Sequence, residues 1–419
     1  MLSYHTCPLA TLGGKDTGGM NVYVRDVTRQ LGILGIQVDV FTRSQDEHVP
    51  HVLHDLGYGN RVVHIPAGPE VPLPKKDLVA YLPEFGERIL EFAEMKQIHY
   101  DLIHSHYWLS GLAANELKKR WGVPVVHMFH TLGIMKQRVT QAGGESESEY
   151  RLLGERQVLE SADRIIAATP AELSQLQWLY QANPTKIHVI PPGVDLSRFY
   201  PIPVDEAKEY IGIHTCDRML LFVGRIEPLK GIDTLIEAIA AIGSSSLVAG
   251  SPFCLIVIGG DAADDPDFMS AEMARLYELR DKFGLDDRIT FLGKRSQDTL
   301  PYYYSAAEAV VVPSQYESFG MVALEAMACG TPVVASQVGG LAFLVQDGVT
   351  GYTVPSDEPD ALAGKLTKLL SDTALRKQMG DQAARFARDY SWEIIAGKLI
   401  QVYEDLISKG SIERESSRP

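Results

Sequence analysis

The stretch MLLFVGRIEPLKG, residues 219–231, decides the fold, because it starts as an unbroken apolar run and ends in a glycine-bounded loop. An apolar run without a polar face is typical of a strand that is covered on both sides. The loop carries Arg225 and Lys230 between two glycines. Buried strands that end in such loops are typical of open parallel sheets, where ligands bind beyond the carboxyl ends of the strands.

Similar apolar runs recur along the whole chain and alternate with helical segments. In VRDVTRQLGILG (24–35), Val24, Val27, Leu31 and Leu34 recur at helical spacing. The runs that predict strands are 36–43, 61–67, 101–107, 123–130, 164–169 and 187–193, then 219–225, 254–260, 288–293, 309–314 and 332–336. This alternation predicts an α/β chain of two Rossmann-like, doubly wound domains.

The boundary between the two domains is predicted near residue 200. A chain of 419 residues is too long for one compact core. The segment PPGVDLSRFYPIP (191–203) is rich in proline and turn residues, so we assign 1–199 to the first domain and 200–390 to the second. The first strand is nearly missing, since only MLSYHTCPL precedes the glycine-rich loop.

The composition limits the classes of partner. Lys and Arg total 39 against 54 Asp and Glu, a formal charge of -15, which argues against nucleic acid or an anionic membrane as the main partner. A site for an anion must therefore be a local concentration of cations and backbone N–H groups. The four cysteines show no CxxC pair, and no apolar stretch approaches the length of a membrane span. We therefore expect a cytoplasmic protein with neither a metal nor a disulfide framework.

Two loops are candidates for binding phosphate. In LGGKDTGGMNVYV (12–24), Gly18 and Gly19 allow a ligand to approach the backbone, and a helix start offers N–H groups. In GRIEPLKG, Arg225 can donate two hydrogen bonds to phosphate oxygens and Lys230 can add a positive charge. The alternative for residues 12–24 is a plain connecting loop. The alternative for GRIEPLKG is a solvated loop with two surface charges.

The segment PSQYESFGMVALEAMACGTPVVAS (313–336) is a third candidate site. Glu317 lies in its loop, and Glu325 lies one to two turns into a helix that opens near Phe319–Met321. Backbone N–H groups at such an opening can bind a diphosphate, and carboxylates are good acceptors for the hydroxyls of a ribose. The alternative is a helix with two surface glutamates, which leaves the flanking glycines and the following buried strand unexplained.

The fourth candidate lies around IHSHYWLSG (103–111) and HMFHTLGIMK (127–136). His130 and Thr131 follow an apolar strand, where active-site residues of open α/β sheets lie. A metal site of His104, His106, His127 and His130 is less favoured, because alternate strand residues point to opposite faces of a sheet. We expect His130 to form hydrogen bonds rather than to bind a metal.

These motifs together resemble the retaining glycosyltransferases of family 4. The resemblance rests on TGGMNVYV, HSHYWLSG, FHTL, PPGVD, VGRIEPLKG, ESFGMVALEAMACGTPVVAS and GGLAFLVQDGVTGYTV, and it extends to the C-terminal YSWEIIAGKLIQVY. It implies the GT-B fold, with two Rossmann-like domains facing across a cleft. It also implies that a helix at about 391–408 packs back onto the first domain.

The resemblance implies roles for particular residues. The implied catalytic residues are His130, Arg225, Lys230 and Glu317. The implied donor-binding residues are Gly19, Arg225, Lys230, Lys294, Arg295, Glu317, Phe319, Gly320, Met321, Val322 and Glu325. The implied acceptor-binding residues are Asn21, Lys75, Tyr107, Thr131, Lys136 and Arg151.

Two branches of the family look closest, and both use a phosphorylated acceptor. Sucrose-phosphate synthases transfer glucose from UDP-glucose to fructose 6-phosphate, and this is the reaction we favour. The other branch transfers N-acetylglucosamine from its UDP donor to inositol 3-phosphate. The segment LPKKDLVAYLPEF (73–85) resembles the acceptor-phosphate segment of both branches, whereas the opening SYHTCPLATLGGKDTGGMN is more similar to the inositol branch. Another family 4 hexosyltransferase and an inactive sugar-nucleotide-binding protein are further alternatives.

No convincing DxD motif is present, so we expect Arg225 and Lys230 to replace a divalent metal, with Mg²⁺ at most stimulatory and no cofactor required. Retention is expected to proceed by front-face attack, with the leaving phosphate accepting the proton of the acceptor. A dinucleotide-dependent oxidoreductase is disfavoured, because GGKDTGG lacks the GxGxxG spacing. The oligomeric state is left open.

Overall fold

The computed structural model of the chain describes residues 1–11, 17–140, 149–213, 216, 218–243, 252–260 and 269–416. It divides into two compact units. Unit 1 comprises Met1–Ala10, Gly19–Gly193 and Trp392–Pro419, and unit 2 comprises Thr11–Gly18 and Val194–Ser391. The division at 193/194 lies within the proline-rich segment, a few residues before the sequence-based boundary at 199/200.

Most of the strands are shorter than the apolar runs that predict them. They are β1 (Asp39–Arg43), β2 (Val52–Leu53), β3 (Arg61–Ile65), β4 (Ile103–His106), β5 (Val125–Met128), β6 (Arg164–Ala167), β7 (Ile187–Val189), β8 (Arg218–Val223), β9 (Phe253–Ile258), β10 (Ile289–Gly293), β11 (Ala307–Val312), β12 (Val333–Ser336) and β13 (Gly351–Val354). The apolar runs do not predict β2 or β13. The first is very short, and the second contains glycine and threonine.

Helices connect most of the strands. They are α1 (Gly19–Ile33), α2 (Lys75–Leu78), α3 (Leu82–Lys96), α4 (Trp108–Trp121), α5 (Gly133–Thr140), α6 (Glu149–Ser161), α7 (Pro170–Tyr180), α8 (Val204–Ile211), α9 (Ile232–Gly243), α10 (Ala271–Lys282), α11 (Leu300–Ala306), α12 (Met321–Ala328), α13 (Leu341–Leu344), α14 (Pro359–Ser371), α15 (Thr373–Ala387) and α16 (Trp392–Ser416). Helix α16 groups with unit 1, and it continues beyond residue 408, where we expect it to end.

Unit 2 contains a six-stranded parallel sheet in the order β10–β9–β8–β11–β12–β13. Side chains on both sides of this sheet are buried, and α9 covers it with an apolar stripe that includes Leu235, Ile236 and Ile239. The strand order reverses between β8 and β11, the first and fourth strands of the unit. In open α/β sheets such a reversal creates the crevice where ligands bind.

The opening residues of the chain complete the sheet of unit 1. Strands β2–β3–β1 form one sheet and β4–β5–β6–β7 form another. Leu2 lies between them in parallel bridges to Phe41 and Ser105. The Leu2 N–H donates to the His104 carbonyl at 2.9 Å, and the Ser3 N–H donates to the Phe41 carbonyl at 2.9 Å. The short segment MLSY thus acts as the first strand, and the strand order reverses beside it.

One cysteine pair differs from our expectation. Cys216 and Cys254 form a disulfide bond, with their Cα atoms 5.8 Å apart, whereas Cys7 and Cys329 are free thiols. The expectation of a chain without disulfides is therefore wrong for this pair. The strand register explains the error, because Cys254 pairs with Met219 across β8 and β9, only three residues after Cys216.

Across the ranges that the structure describes, none of the helices combines the length and the apolar character that crossing a membrane requires.

Candidate active site

The two cationic residues of the opening motif lie at the strand-order reversal of unit 2. Arg225 and Lys230 follow β8, and the loop containing Glu317 follows β11, the neighbouring strand. The Gln315 N–H donates to the Leu229 carbonyl at 2.9 Å, which ties the two loops together. Lys230 Nζ donates to Glu317 Oε2 at 2.6 Å, and both side chains are about four-fifths buried. The structure therefore brings together residues separated by 87 positions in the sequence.

Two glycines make this close approach of the loops possible. Gly231 has a φ of +64°, and a Cβ atom there would lie 2.1 Å from the Pro313 carbonyl oxygen. Gly339 has a φ of +46°, and a Cβ atom there would lie 1.9 Å from the Glu317 carbonyl oxygen. A side chain at either position would collide with backbone, so the glycines hold the Lys230 and Glu317 loops in place.

Each cation of the mid-chain loop has a carboxylate partner. Arg225 Nη1 lies 2.8 Å from Glu227 Oε1, and both side chains are about one-third exposed. Lys230 is paired with Glu317 as described above. The two cations are therefore already oriented by carboxylates at the carboxyl edge of the sheet. Glu227 is not among the predicted site residues, although it lies inside the GRIEPLKG motif.

Helix α12 begins beside these loops. Gly320 is its N-cap with a φ of +106°, followed by Met321 and Val322 in the first turn. The first N–H groups of a helix have no acceptor within the helix, so they can face an anion. Phe319, immediately before the cap, is buried. The predicted helix opening at Phe319–Met321 thus coincides with the helix start in the structure.

Glu325 lies deeper than a surface glutamate. Its side chain is buried, and its Oε2 accepts a hydrogen bond of 2.8 Å from the hydroxyl of Tyr304. The two remaining predicted donor residues follow β10. Arg295 donates from Nη1 to the carbonyl oxygens of Leu292 and Lys294, so its own loop anchors the guanidinium. Lys294 itself is partly buried.

Four of the six predicted acceptor residues form one cluster around the ring of Tyr107. Tyr107 follows β4, and both Lys75 Nζ and Arg151 Cζ lie over its ring, 5.6 Å and 5.2 Å from the centroid. Arg151 Nη2 also donates to the carbonyl oxygen and the hydroxyl of Thr131, at 3.0 and 3.1 Å. Four residues from four separate segments thus form one cationic cluster, which we call the Tyr107 cluster.

A buried carboxylate orients the Tyr107 cluster. Glu155 is fully buried and accepts hydrogen bonds from Arg151 Nε at 2.8 Å and from the Gly133 N–H at 3.0 Å. It also accepts one from the hydroxyl of Tyr180, and that hydroxyl in turn accepts from the Ile134 N–H at 3.1 Å. Glu155 and Tyr180 are not among the predicted site residues. The spacing of Arg151 and Glu155, four residues apart on one helix, was the available signal.

The other predicted residues of unit 1 have different surroundings. The Asn21 side chain is buried, and its Nδ2 donates to Thr6 Oγ1 and to the Cys7 carbonyl, both at 2.7 Å. Asn21 thus holds the loop that follows the first strand. Gly19 is the first residue of α1, and Lys136 lies partly buried on α5. Residues 12–16 of the glycine-rich stretch lie outside the described residues.

Backbone strain is present at both predicted strand-end residues of unit 1. Tyr107 has a φ of +73° and His130 a φ of +62°, although neither is glycine. Such conformations cost roughly 1–3 kcal/mol each and persist where the surrounding structure imposes them, most often at functional sites. The strain therefore agrees with a functional role for these two strand ends.

His130 belongs to a buried group of histidines. Its Nε2 lies 3.1 Å from His106 Nδ1, while His104 Nδ1 lies 2.7 Å from the hydroxyl of Tyr403 on α16. Burial lowers the pKa of His130 and of His104 to about 3. His130 is therefore a neutral hydrogen-bonding group at neutral pH. Within the described ranges, no three His, Cys, Asp or Glu side chains lie close enough together to hold a metal ion.

Two protein-family models together match most of the chain. The model described as Glycosyltransferase Family 4 matches residues 17–198, and the model described as Glycosyl transferases group 1 matches residues 204–386. Two similar curated relatives are the D-inositol 3-phosphate glycosyltransferases of Salinispora arenicola and Catenulispora acidiphila, each 41% identical to this chain. The alignments cover 97% and 96% of this chain, and 91% and 93% of the relatives.

Solved structures show the same fold. Sucrose-phosphate synthase from Thermosynechococcus elongatus is 36% identical, with a TM-score of 0.87, and the match covers 97% of this chain and 98% of that chain. Anabaena HepE, solved in complex with UDP and glucose, is 20% identical with a TM-score of 0.73, over 95% of this chain and 98% of its own. The second likeness concerns the fold alone.

Proposed function

Because this chain belongs to glycosyltransferase family 4 and has the GT-B fold, we propose that it is a retaining hexosyltransferase. Its donor is a UDP-sugar and its acceptor carries a phosphate group. Unit 2 binds the donor and unit 1 binds the acceptor.

The Tyr107 cluster is the observation that carries the proposal. Lys75 and Arg151 both lie over the Tyr107 ring, and the buried Glu155 orients the Arg151 guanidinium, so one small region of unit 1 presents two cationic groups. The chain as a whole carries a formal charge of -15, so a pair of cations held together in unit 1 is a local exception. A phosphate dianion is the ligand whose charge and hydrogen-bonding geometry fit this arrangement.

The donor diphosphate is bound at the carboxyl edge of the unit 2 sheet. Arg225 and Lys230 contact its oxygens, together with N–H groups at the start of α12. Cleavage of the glycosidic bond adds negative charge to the leaving UDP, and fixed cations stabilise that charge without reorganisation. No divalent metal is required for this step, and Mg²⁺ is at most stimulatory. Glu317 binds hydroxyls of the donor sugar, and Glu325 binds the ribose.

The configuration of the anomeric carbon is retained by front-face attack. The acceptor hydroxyl approaches the same face that the diphosphate leaves, and the leaving phosphate oxygen accepts its proton. His130 is neutral at physiological pH, and it forms a hydrogen bond with the transferred sugar rather than attacking it. Lys294 and Arg295 lie towards the nucleotide base.

The acceptor has two candidates, each supported by one comparison. Fructose 6-phosphate with UDP-glucose is supported by the sucrose-phosphate synthase structure, which matches nearly the full length of both chains at a TM-score of 0.87. D-inositol 3-phosphate is supported by the curated relatives, at the higher identity of 41%. Both acceptors carry the phosphate monoester that the Tyr107 cluster fits.

An assay of nucleoside diphosphate release, which detects both UDP and ADP, tests the proposal. UDP-glucose, ADP-glucose and UDP-N-acetylglucosamine are each combined with fructose 6-phosphate, D-inositol 3-phosphate and their dephosphorylated forms. We expect release with one UDP-sugar and one phosphorylated acceptor, and little release with the dephosphorylated acceptors. Equal turnover with and without the acceptor phosphate would overturn the proposal. The absence of turnover with every donor–acceptor pair would also overturn it.

A further inference from the structure

Tyr304 is a buried polar residue that the proposed mechanism does not use. It lies on α11, which packs against α12, and its side chain has no exposed surface. Its hydroxyl donates to Glu325 Oε2 at 2.8 Å. Its carbonyl accepts a hydrogen bond of 2.6 Å from Thr331 Oγ1, and the Thr331 N–H donates to the Ala326 carbonyl at 3.0 Å. Tyr304 is thus fixed at both ends, next to a carboxylate.

In the hydrogen bond between Tyr304 and Glu325, the phenol is the donor and the carboxylate is the acceptor. Burial and the neighbouring Glu325 carboxylate raise the pKa of Tyr304 well above its ordinary value, so the phenol keeps its proton and donates to the carboxylate. A hydrogen bond from a neutral hydroxyl to a buried carboxylate is stronger than one between neutral groups. The bond also lowers the cost of burying the charge of Glu325.

We infer that Tyr304 is a positioning residue for nucleotide recognition: it holds the Glu325 carboxylate in the orientation in which that carboxylate accepts hydrogen bonds from the ribose hydroxyls. A carboxylate has about four lone-pair positions on two oxygens, so it can accept from Tyr304 and from a ribose diol together. Removal of the phenol oxygen leaves a charged side chain with fewer constraints on its rotamer. This inference rests on the proposed function, in which Glu325 binds the ribose of a UDP-sugar.

The predicted consequence is specific to the ribose. The affinity for a nucleotide with both ribose hydroxyls should fall when the phenol oxygen is removed, because the carboxylate is no longer held in place. The affinity for a nucleotide without those hydroxyls should not change. A structural defect in unit 2 would weaken both nucleotides alike, so the comparison separates positioning from folding.

The test uses the full-length chain and isothermal titration calorimetry with UDP and with 2′,3′-dideoxyuridine diphosphate. We expect wild type to prefer UDP, and Tyr304→Phe to reduce that preference about tenfold while leaving the affinity for the dideoxy nucleotide unchanged. Tyr352→Phe is the matched control. Tyr352 is also a buried tyrosine of unit 2, but its ring packs against Lys365 and Lys368. The preference of the Tyr352→Phe variant for UDP over the dideoxy nucleotide should equal that of wild type.

A double variant tests whether Tyr304 acts through Glu325. In a Glu325→Gln background, Tyr304→Phe should cause no further loss of preference, since the positioned charge is already absent. Equal weakening of both nucleotides by Tyr304→Phe, or an unchanged preference for UDP, would overturn the inference while leaving the proposed function intact. A wild-type chain that binds neither nucleotide would overturn the UDP-sugar proposal and the inference with it.

Discussion

Replacing Lys75 with methionine should selectively impair binding of the acceptor. Lys75 Nζ lies 5.6 Å from the centroid of the Tyr107 ring, whose other cation is Arg151. Methionine keeps most of the aliphatic length of lysine and removes only the charge. The remaining guanidinium is held by Glu155 and Thr131, so the rest of the cluster should keep its arrangement.

The size of the effect follows from the charge on the ligand. A hydrogen bond to a charged group is worth about 1.5–3 kcal/mol, which is roughly a ten- to hundredfold change in an equilibrium constant. The KM for the phosphorylated acceptor should therefore rise about ten- to hundredfold. The KM for the donor should stay within about twofold, because unit 2 supplies the donor contacts in the proposal.

The assay is UDP release at a saturating concentration of one substrate while the other is varied. Lys76→Met is the matched control, since it makes the same change one residue away on an exposed side chain. A dephosphorylated acceptor supplies a second readout, because its low turnover should not depend on Lys75. An equal loss of donor and acceptor binding, or the same loss in Lys76→Met, would refute the reasoning.

Three further predictions concern charge and cross-linking. Lys230→Met should lower kcat by a hundredfold or more in a chain that still unfolds cooperatively, as expected for the loss of about 3 kcal/mol of transition-state stabilisation, and retained turnover would contradict it. The thermal midpoint should also fall, because Glu317 loses its largely buried partner. Reduction of the disulfide between Cys216 and Cys254, 38 residues apart, should lower the free energy of unfolding of unit 2 by about 4 kcal/mol, measured by urea denaturation with and without reductant. An unchanged midpoint would count against that cross-link. Burial raises the pKa of Glu172 from 4.5 to about 7, so its contribution to stability is present below pH 4.5 and is lost as the pH rises through 7. Glu172→Gln should therefore raise the thermal midpoint at pH 8 but not at pH 4.5, and equal shifts at both would refute the assignment.

The sequence was sufficient to predict residues at strand ends. Arg225 and Lys230 follow an apolar run, and parallel strands place such residues at a common edge whatever the strand order. Glu317 and Glu325 were identifiable because the helix start between them had its own local signal. These predictions needed only periodicity, turn residues and charge.

Partners that depend on strand order were not predictable in this way. Tyr304 lies 21 residues before Glu325, and Tyr180 lies 25 residues after Glu155, with no local pattern connecting either pair. A buried polar residue of this kind reads as part of the apolar core until the packing is known. The disulfide has the same origin, because its two cysteines become neighbours only when β9 pairs with β8.

The first strand was not predicted from the sequence because it is too short. MLSY has too few residues for a periodicity argument, yet its backbone joins the two halves of the unit 1 sheet. Most of its backbone hydrogen bonds are to main-chain groups of β1 and β4, including those of Phe41 and His104, whose positions the sequence of MLSY itself does not specify. Local sequence thus predicted the elements, and pairing between distant segments decided how they join.

In the proposed mechanism, permanent positive charge on the mid-chain loop stabilises the departing nucleoside diphosphate. The most direct measurement is a crystal structure of the chain with UDP bound. We expect diphosphate oxygens within hydrogen-bonding distance of Lys230 Nζ and the Arg225 guanidinium, with Lys230 released from Glu317. A diphosphate bound elsewhere, with the 2.6 Å contact between Lys230 and Glu317 intact, would contradict it.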